Sequence, residues 1–229
     1  MKLKFLTIKK KKIIAFLLCV CCVGAFCATY FPIQANTIPK SIHTIVIDAG
    51  HGGIDGGAEG DLTGVLESEL NLKYAKTLGK ICKEFGFRVV FTRENSAGLY
   101  DESAQNKKKS EMQKREKIIK QAKPDLVVSL HMNSFPGDAR GAHVFYAKGS
   151  SSGETLAKSV SKVLSEKVEY SHKEAKVGDY YILNCSSCPS ILVECGFLSN
   201  AEEEILLQKE EYVFDFCYNV FCGIYAYFR

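Results

Sequence analysis

Two hydrophobic periods alternate along this chain. Short apolar runs predict strands at Thr44–Ile47, Phe87–Thr92, Leu126–His131, Ala142–Ala147, Tyr180–Leu183 and Ile191–Glu194. Between them lie stretches with apolar residues three and four apart. In Glu67–Phe85 these are Leu70, Tyr74, Leu78, Ile81, Cys82 and Phe85, the spacing of one helix face. Further helices are predicted at Lys109–Ala122, about Gly153–Lys167 and about Glu211–Tyr227, with Gly86 and Pro124 as stop signals. Strand-helix alternation of this kind predicts a single α/β domain: a mostly parallel, twisted sheet with helices on both faces. In such sheets ligands bind beyond the carboxyl ends of the strands.

Composition adds little for the body of the chain and much for its start. Apolar residues make up 46% and charged residues 24%, which excludes a disordered or collagen-like protein. The net charge of +4 comes from 30 basic and 26 acidic residues. Seven lysines and no acid fall in residues 1–40, leaving 23 basic against 26 acidic residues, net −3, for the rest. A nucleic-acid-binding face needs positive charge on the folded part, so no nucleic-acid partner is expected. Lys9–Lys12 precedes Ile13–Phe31, a stretch without any charge. A basic segment before an apolar one is an export signal or a membrane anchor, and both readings stay open. Residues 1–35 are read as this leader, 36–41 as a linker and 42–229 as the catalytic domain. The domain is expected outside the membrane, anchored or secreted.

Four of the ten cysteines lie in the leader, and the remaining six are too sparse for a disulfide scaffold. Cys185-Ser-Ser-Cys188 is a lone pair. It reads as a redox pair, half a metal site, an exported disulfide or two small loop residues.

Polar residues collect where the apolar runs stop. The first strand ends in Asp48-Ala-Gly-His51-Gly-Gly, the Leu126 strand in Ser129-Leu-His131-Met-Asn133, and the Ile191 strand in Val193-Glu194. The crossover helix after the first strand must start near the same edge, which brings Glu67 on its first turn to the two histidines. An acid there is a helix-dipole partner or a ligand, and the neighbouring histidines favour a ligand. Two imidazoles and a carboxylate form a catalytic zinc set with a position left for water, and neutral imidazole suits zinc better than magnesium or calcium. Glu194 is then the general base. Gly50, Gly52, Gly53, Gly56 and Gly57 are read as letting the backbone come close to the metal and take positive φ. A phosphate-cradling loop is excluded by the lack of GxxxxGK[ST]. Asp48 is read as an orienting partner of His51 or as a turn residue. Arg93 and Arg115 are read as structural ion pairs first, with a hold on substrate carboxylates as the open alternative.

Ile47-Asp-Ala-Gly-His-Gly-Gly53, Glu67-Ser-Glu-Leu-Asn-Leu72, Phe91-Thr-Arg93, Ser129-Leu-His-Met-Asn133 and Leu192-Val-Glu-Cys-Gly-Phe-Leu-Ser-Asn200 occur in order over about Thr44 to Phe228. In these motifs the chain resembles the zinc-dependent N-acetylmuramoyl-L-alanine amidases of the type-3 family. The resemblance implies His51, Glu67 and His131 as Zn2+ ligands and Glu194 as the catalytic glutamate. Gly141–Lys148 and Ala175–Leu183 look like the CwlD-type spore cortex amidases. That subgroup implies cleavage between N-acetylmuramic acid and L-alanine in spore cortex peptidoglycan, muramic-δ-lactam formation with a muramic acid deacetylase, and a role in germination. The implied place is the outer face of the membrane, the cell wall or the spore intermembrane space. Cys185 and Cys188 depart from the subgroup pattern. Two rival readings are another zinc peptidoglycan peptidase, such as a carboxypeptidase, and a non-catalytic wall-binding module. The last helix is apolar except for Asp215, Asn219 and Gly223, so it is either buried on two sides or covered by an accessory protein or second copy.

Overall fold

The structure is a computed structural model and describes residues 43–229. The leader and linker expected over residues 1–41 lie outside the described residues. Six strands form one sheet in the order β2-β1-β3-β6-β4-β5. They are β1 (Thr44–Ala49), β2 (Arg88–Phe91), β3 (Leu126–Asn133), β4 (His143–Ala147), β5 (Lys176–Gly178) and β6 (Ser190–Phe197). β1, β2, β3 and β6 run parallel, while β4 is antiparallel to β6. Every residue of β1 and β6 is buried, as expected of strands covered on both faces.

The helices are α1 (Glu67–Glu84), α2 (Lys107–Ala122), α3 (Ser151–Lys167), α4 (Ala201–Gln208) and α5 (Glu210–Tyr227). On one face, Ile45, Ile47, Val128 and Val193 pack with Leu70, Tyr74 and Leu78 of α1, Leu156 and Val160 of α3, and Phe216 and Val220 of α5. Each such side chain contributes roughly 1.5–3 kcal/mol on burial. The other face is thinner: Val46, Val127 and Leu192 pack with Ile119 of α2 and with Ile182 and Leu183. Asn106, Ser150 and Asn200 cap α2, α3 and α4 by accepting backbone N–H groups.

The predicted architecture is the observed one, with two local corrections. Tyr180–Leu183 is not a strand: Tyr181–Asn184 form a 3-10 turn, and β5 lies earlier, at Lys176–Gly178. Alternation there reflects two residues, Ile182 and Leu183, dropping into the thinner core. A separate helix, α4, precedes α5. Its first turn holds Glu202, Glu203 and Glu204, which hide its apolar face from a hydrophobic pattern.

The last helix is buried chiefly by the domain's own elements. Val213, Phe216, Cys217, Val220, Phe221 and Ile224 are buried, and Phe214 and Tyr218 remain exposed as a parallel stacked pair with ring centroids 6.3 Å apart. Gly223 does not face solvent. A β-carbon there would lie 2.6 Å from Val160 Cα, so glycine is what lets α5 and α3 approach. Among the described residues Cys185 and Cys188 are unpaired thiols: Cys185 is buried in the thinner core, and Cys188 Sγ lies 2.8 Å from Ser186 Oγ. No helix among the described residues is long and apolar enough to cross a membrane.

Candidate metal centre

The floor of the site is a buried charge network at the end of β1. Asp48 accepts hydrogen bonds from Thr92 Oγ1 (2.6 Å), Ser129 Oγ (2.6 Å) and Arg115 Nη1 (2.5 Å). Arg115 also donates to Glu111 Oε1 and to the carbonyls of Ala49 and His51. Burial works against the Asp48 charge, but Arg115 and the two hydroxyls outweigh it and hold the carboxyl below its ordinary range. Arg93 donates to the carbonyls of Ala49, Gly50, Ser68 and Asn95. Both arginines therefore brace the β1–α1 loop, Arg115 through the ion pair that the structural reading expects and Arg93 through carbonyls alone among the described residues. Asp48 is not the partner of His51: its oxygens are engaged by the network beneath.

That partner is Asp55, whose Oδ1 lies 2.9 Å from His51 Nδ1. A backbone bridge between Gly52 and Asp55 returns the carboxylate to the histidine. His51 itself has φ 59°, a left-handed conformation costing a residue with a β-carbon about 1–3 kcal/mol. Of the loop glycines, Gly52, Gly53 and Gly57 take positive φ, while Gly50 and Gly56 do not. Gly50 is needed for space instead, since a β-carbon there would fall 2.2 Å from the His131 ring.

Glu67 is the hub of the site. Its Oε1 lies 2.8 Å from His131 Nδ1 and 3.2 Å from His51 Nε2, and accepts from Asn71 Nδ2 and Met132 N. Its Oε2 accepts from Ala58 N. Burial opposes the Glu67 charge, but the two histidines hold the carboxyl far below the usual range. Reciprocally, burial disfavours the charged form of His51, while Glu67 and then Asp55 raise its pKa. One donor atom each from His51, Glu67 and His131 lie within 4.8 Å of one another. Ligands on one tetrahedral ion at ordinary zinc–nitrogen and zinc–oxygen distances stand about 3.3 Å apart, so this donor set fits a metal of that size. The same lone pairs that now share protons are the ones an ion would take.

Glu194 stands beside this set, paired in register with His131 across β3 and β6. It is 8% exposed, and its Oε2 has no hydrogen-bond partner among the described residues. Burial, opposed by His131 and reinforced by Glu67, pushes the carboxyl up to about 7. All four predicted site residues therefore line one cleft of about 410 Å³, together with Asp55, Lys108, Met112, Tyr180 and Leu192. Sequence reasoning does not mark Asp55, two residues past the Ile47–Gly53 motif, as the partner of His51. Lys108 and Met112 carry no motif that would mark them, and Tyr180 falls in the Ala175–Leu183 segment without being marked there as a site residue.

An α/β domain that gathers two histidines and two glutamates in one cleft at its strand ends has the equipment of a hydrolase. The chain belongs to the N-acetylmuramoyl-L-alanine amidase family, whose profile matches residues 45–226. Its activity is accordingly that of an amidase acting on peptidoglycan. It is 32% identical to the germination-specific N-acetylmuramoyl-L-alanine amidase of Bacillus subtilis, over 84% of this chain and 82% of that one. Among solved structures it resembles the CwlD amidase from Clostridioides difficile in complex with the GerS lipoprotein. The TM-score is 0.77 at 33% identity, covering 81% of this chain and 98% of that one. The catalytic domain of the CwlV amidase from Bacillus (Paenibacillus) polymyxa is also similar. There the TM-score is 0.72 at 28% identity, covering 82% of this chain and 98% of that one.

Proposed function

We propose that the protein is a zinc-dependent amidase of spore cortex peptidoglycan, with His51, Glu67 and His131 as metal ligands and Glu194 as general base. The observation that carries this reading is the convergence of His51 Nε2, Glu67 Oε1 and His131 Nδ1 beside a buried, unpartnered Glu194 oxygen. When bound, zinc supplies Lewis-acid polarisation of the scissile carbonyl and lowers the pKa of a water toward neutrality. Asp55 accepts the Nδ1 proton of His51 and so leaves the Nε2 lone pair free for the metal. Glu194 takes a proton from the attacking water and returns it to the leaving nitrogen. The bond broken joins the lactyl carbonyl carbon of N-acetylmuramic acid to the nitrogen of L-alanine. The products are a lactyl carboxylate and a peptide with a free amino terminus. Met112, Tyr180 and Leu192 give this cleft an apolar side.

The germination-specific name of the Bacillus relative, the CwlD neighbour and the Gly141–Lys148 and Ala175–Leu183 segments support the cortex as substrate. The exposed lactyl product would then feed lactam formation by a muramic acid deacetylase. In this reading residues 1–35 export or anchor the chain, 36–41 link, and 42–229 form the zinc amidase domain on the outer side of the membrane. The CwlD neighbour is in complex with the GerS lipoprotein, and an accessory lipoprotein is proposed here too, on the exposed Phe214 and Tyr218 of α5.

Mass spectrometry of cortex peptidoglycan treated with the zinc-loaded chain tests this. Stem peptides with free L-alanine amino termini and glycan with free lactyl groups are expected. Release of a terminal amino acid would make the protein a carboxypeptidase instead. Glu194→Gln should keep its zinc and fold while losing about 10²–10⁴-fold in rate, the range for a general acid–base group. Near-normal turnover in that variant would remove Glu194 from the mechanism.

A further inference from the structure

Four buried side-chain polar atoms lack a hydrogen-bond partner among the described residues, and two of them, on neighbouring strands, are complementary in chemistry. One is Glu194 Oε2, the other His143 Nε2. The two residues stand directly opposite each other in the antiparallel β4–β6 register. Directly opposed residues project to the same face with β-carbons about 4.5–5.5 Å apart. His143 is thus the β4 neighbour of Glu194, as His131 is its β3 neighbour.

The contact with Lys176 favours one tautomer of His143. Lys176 Nζ lies 3.4 Å from Nδ1. An ammonium only donates, so Nδ1 accepts and the proton of the neutral ring is on Nε2. Burial, then His172 and Lys176, push the His143 pKa down to about 4, which keeps the ring neutral. Lys176 belongs to β5, on the side of β4 away from β6. Lys176 thus takes the Nδ1 side of the ring, and the register leaves Glu194 on the neighbouring strand as the nearest carboxylate across β4 and β6. His172, edge-on at 3.9 Å, and Phe197, edge-on at 5.5 Å, hold the ring in place without accepting its proton through an oxygen.

We infer that His143 is a positioning residue for Glu194: its Nε2–H donates to the Glu194 carboxylate, directly or through one water, and aims the other oxygen at the reacting centre. A carboxylate held by one donor keeps one fixed syn face for the proton it must take and return. Lys176 acts a step further out by fixing the tautomer of His143. This inference rests on the reading of Glu194 as the base, and its test separates the two.

Steady-state kinetics on a soluble muramyl peptide would compare the full chain with His143→Phe and His143→Gln. His143→Phe should lower kcat by about 10- to 100-fold, the loss expected for one hydrogen bond to a charged group. KM and zinc content should stay near wild type. His143→Gln, which keeps a side-chain N–H, should recover most of the loss. Unchanged kcat in His143→Phe, or equal losses in both variants, would overturn the inference. A second readout needs no turnover and no folded Phe variant. Long-range ¹⁵N–¹H spectra of histidine-labelled chain should show the Nε2–H tautomer at His143, with an Nε2 signal that moves in Glu194→Gln. An Nδ1–H tautomer, or a signal indifferent to Glu194, would overturn it. A wild-type chain that cleaves no muramyl peptide while showing the expected spectra would instead count against the amidase reading of the base.

Discussion

A carboxylate four residues downstream decides which nitrogen of His51 is free. Asp55 Oδ1 takes Nδ1, and Nε2 is left pointing at Glu67. Partners of this kind orient a metal-binding histidine, and losing one typically costs 10–100-fold in metal affinity. Asp55→Ala is therefore expected to keep its fold and lower zinc affinity by about 10- to 100-fold, read by competition with a chromophoric chelator. Unchanged affinity would mean that the backbone of the loop alone aims His51. That His51, Glu67, His131 and Glu194 share one edge was legible in the sequence, because parallel strands end there and crossover helices begin there. Asp55 was not legible as a partner. Its bond depends on the positive φ values of His51, Gly52 and Gly53, which no hydrophobic period encodes.

Among the elements, α2 departs most from its pattern. Its buried residues are Glu111, Arg115 and Ile119, one stripe at spacing four with two charges on it. The helix is attached to β1 less by apolar contact than by Arg115 reaching Asp48, with both side chains 2% exposed. The sequence marks Arg115 as a structural ion-pairing residue but does not name Asp48 as its partner, so the floor of the site stayed hidden even while its rim was predicted. Removing one partner of a buried pair leaves a charge without compensation. Asp48→Asn should destabilise the domain by about 3 kcal/mol, toward the low end for such pairs because Glu111 and two carbonyls still hold Arg115. The pH dependence follows from the lowered Asp48 pKa. The unfolded carboxyl titrates near 3.8, the folded one below it. Stability from this group is fully present above the unfolded value and is lost as pH falls through the folded one. Urea unfolding of the wild type should therefore weaken below about pH 4, and Asp48→Asn should lack this part of the acid slope. An identical slope in both proteins would place the acid sensitivity elsewhere.

At the scale of the whole molecule, the candidate ligands and the cores are separate. The sheet buries Ile45, Ile47, Val128 and Val193 on one face and Val46, Val127 and Leu192 on the other, and none of these is a candidate ligand. The His51 and His131 side chains, each 19% exposed, sit at the edge of the sheet rather than between its layers. A domain of this size buries enough surface to fold without a staple. Metal bound at a hundred times its dissociation constant would add about 2.7 kcal/mol to the folded state, which for a domain of this length is roughly 5–10 °C in Tm. Chelation should thus abolish hydrolysis and lower Tm by about that much. At 25 °C the near-UV circular dichroism should persist, a signal that comes here from tyrosine and phenylalanine because the chain has no tryptophan. Re-addition of zinc should restore both activity and Tm. Loss of the near-UV signal on chelation would mean that the ligands hold the layers together. The fully buried Tyr74–Phe216 contact between α1 and α5, 5.6 Å between ring centroids, argues against that, because it joins the layers without any residue of the centre.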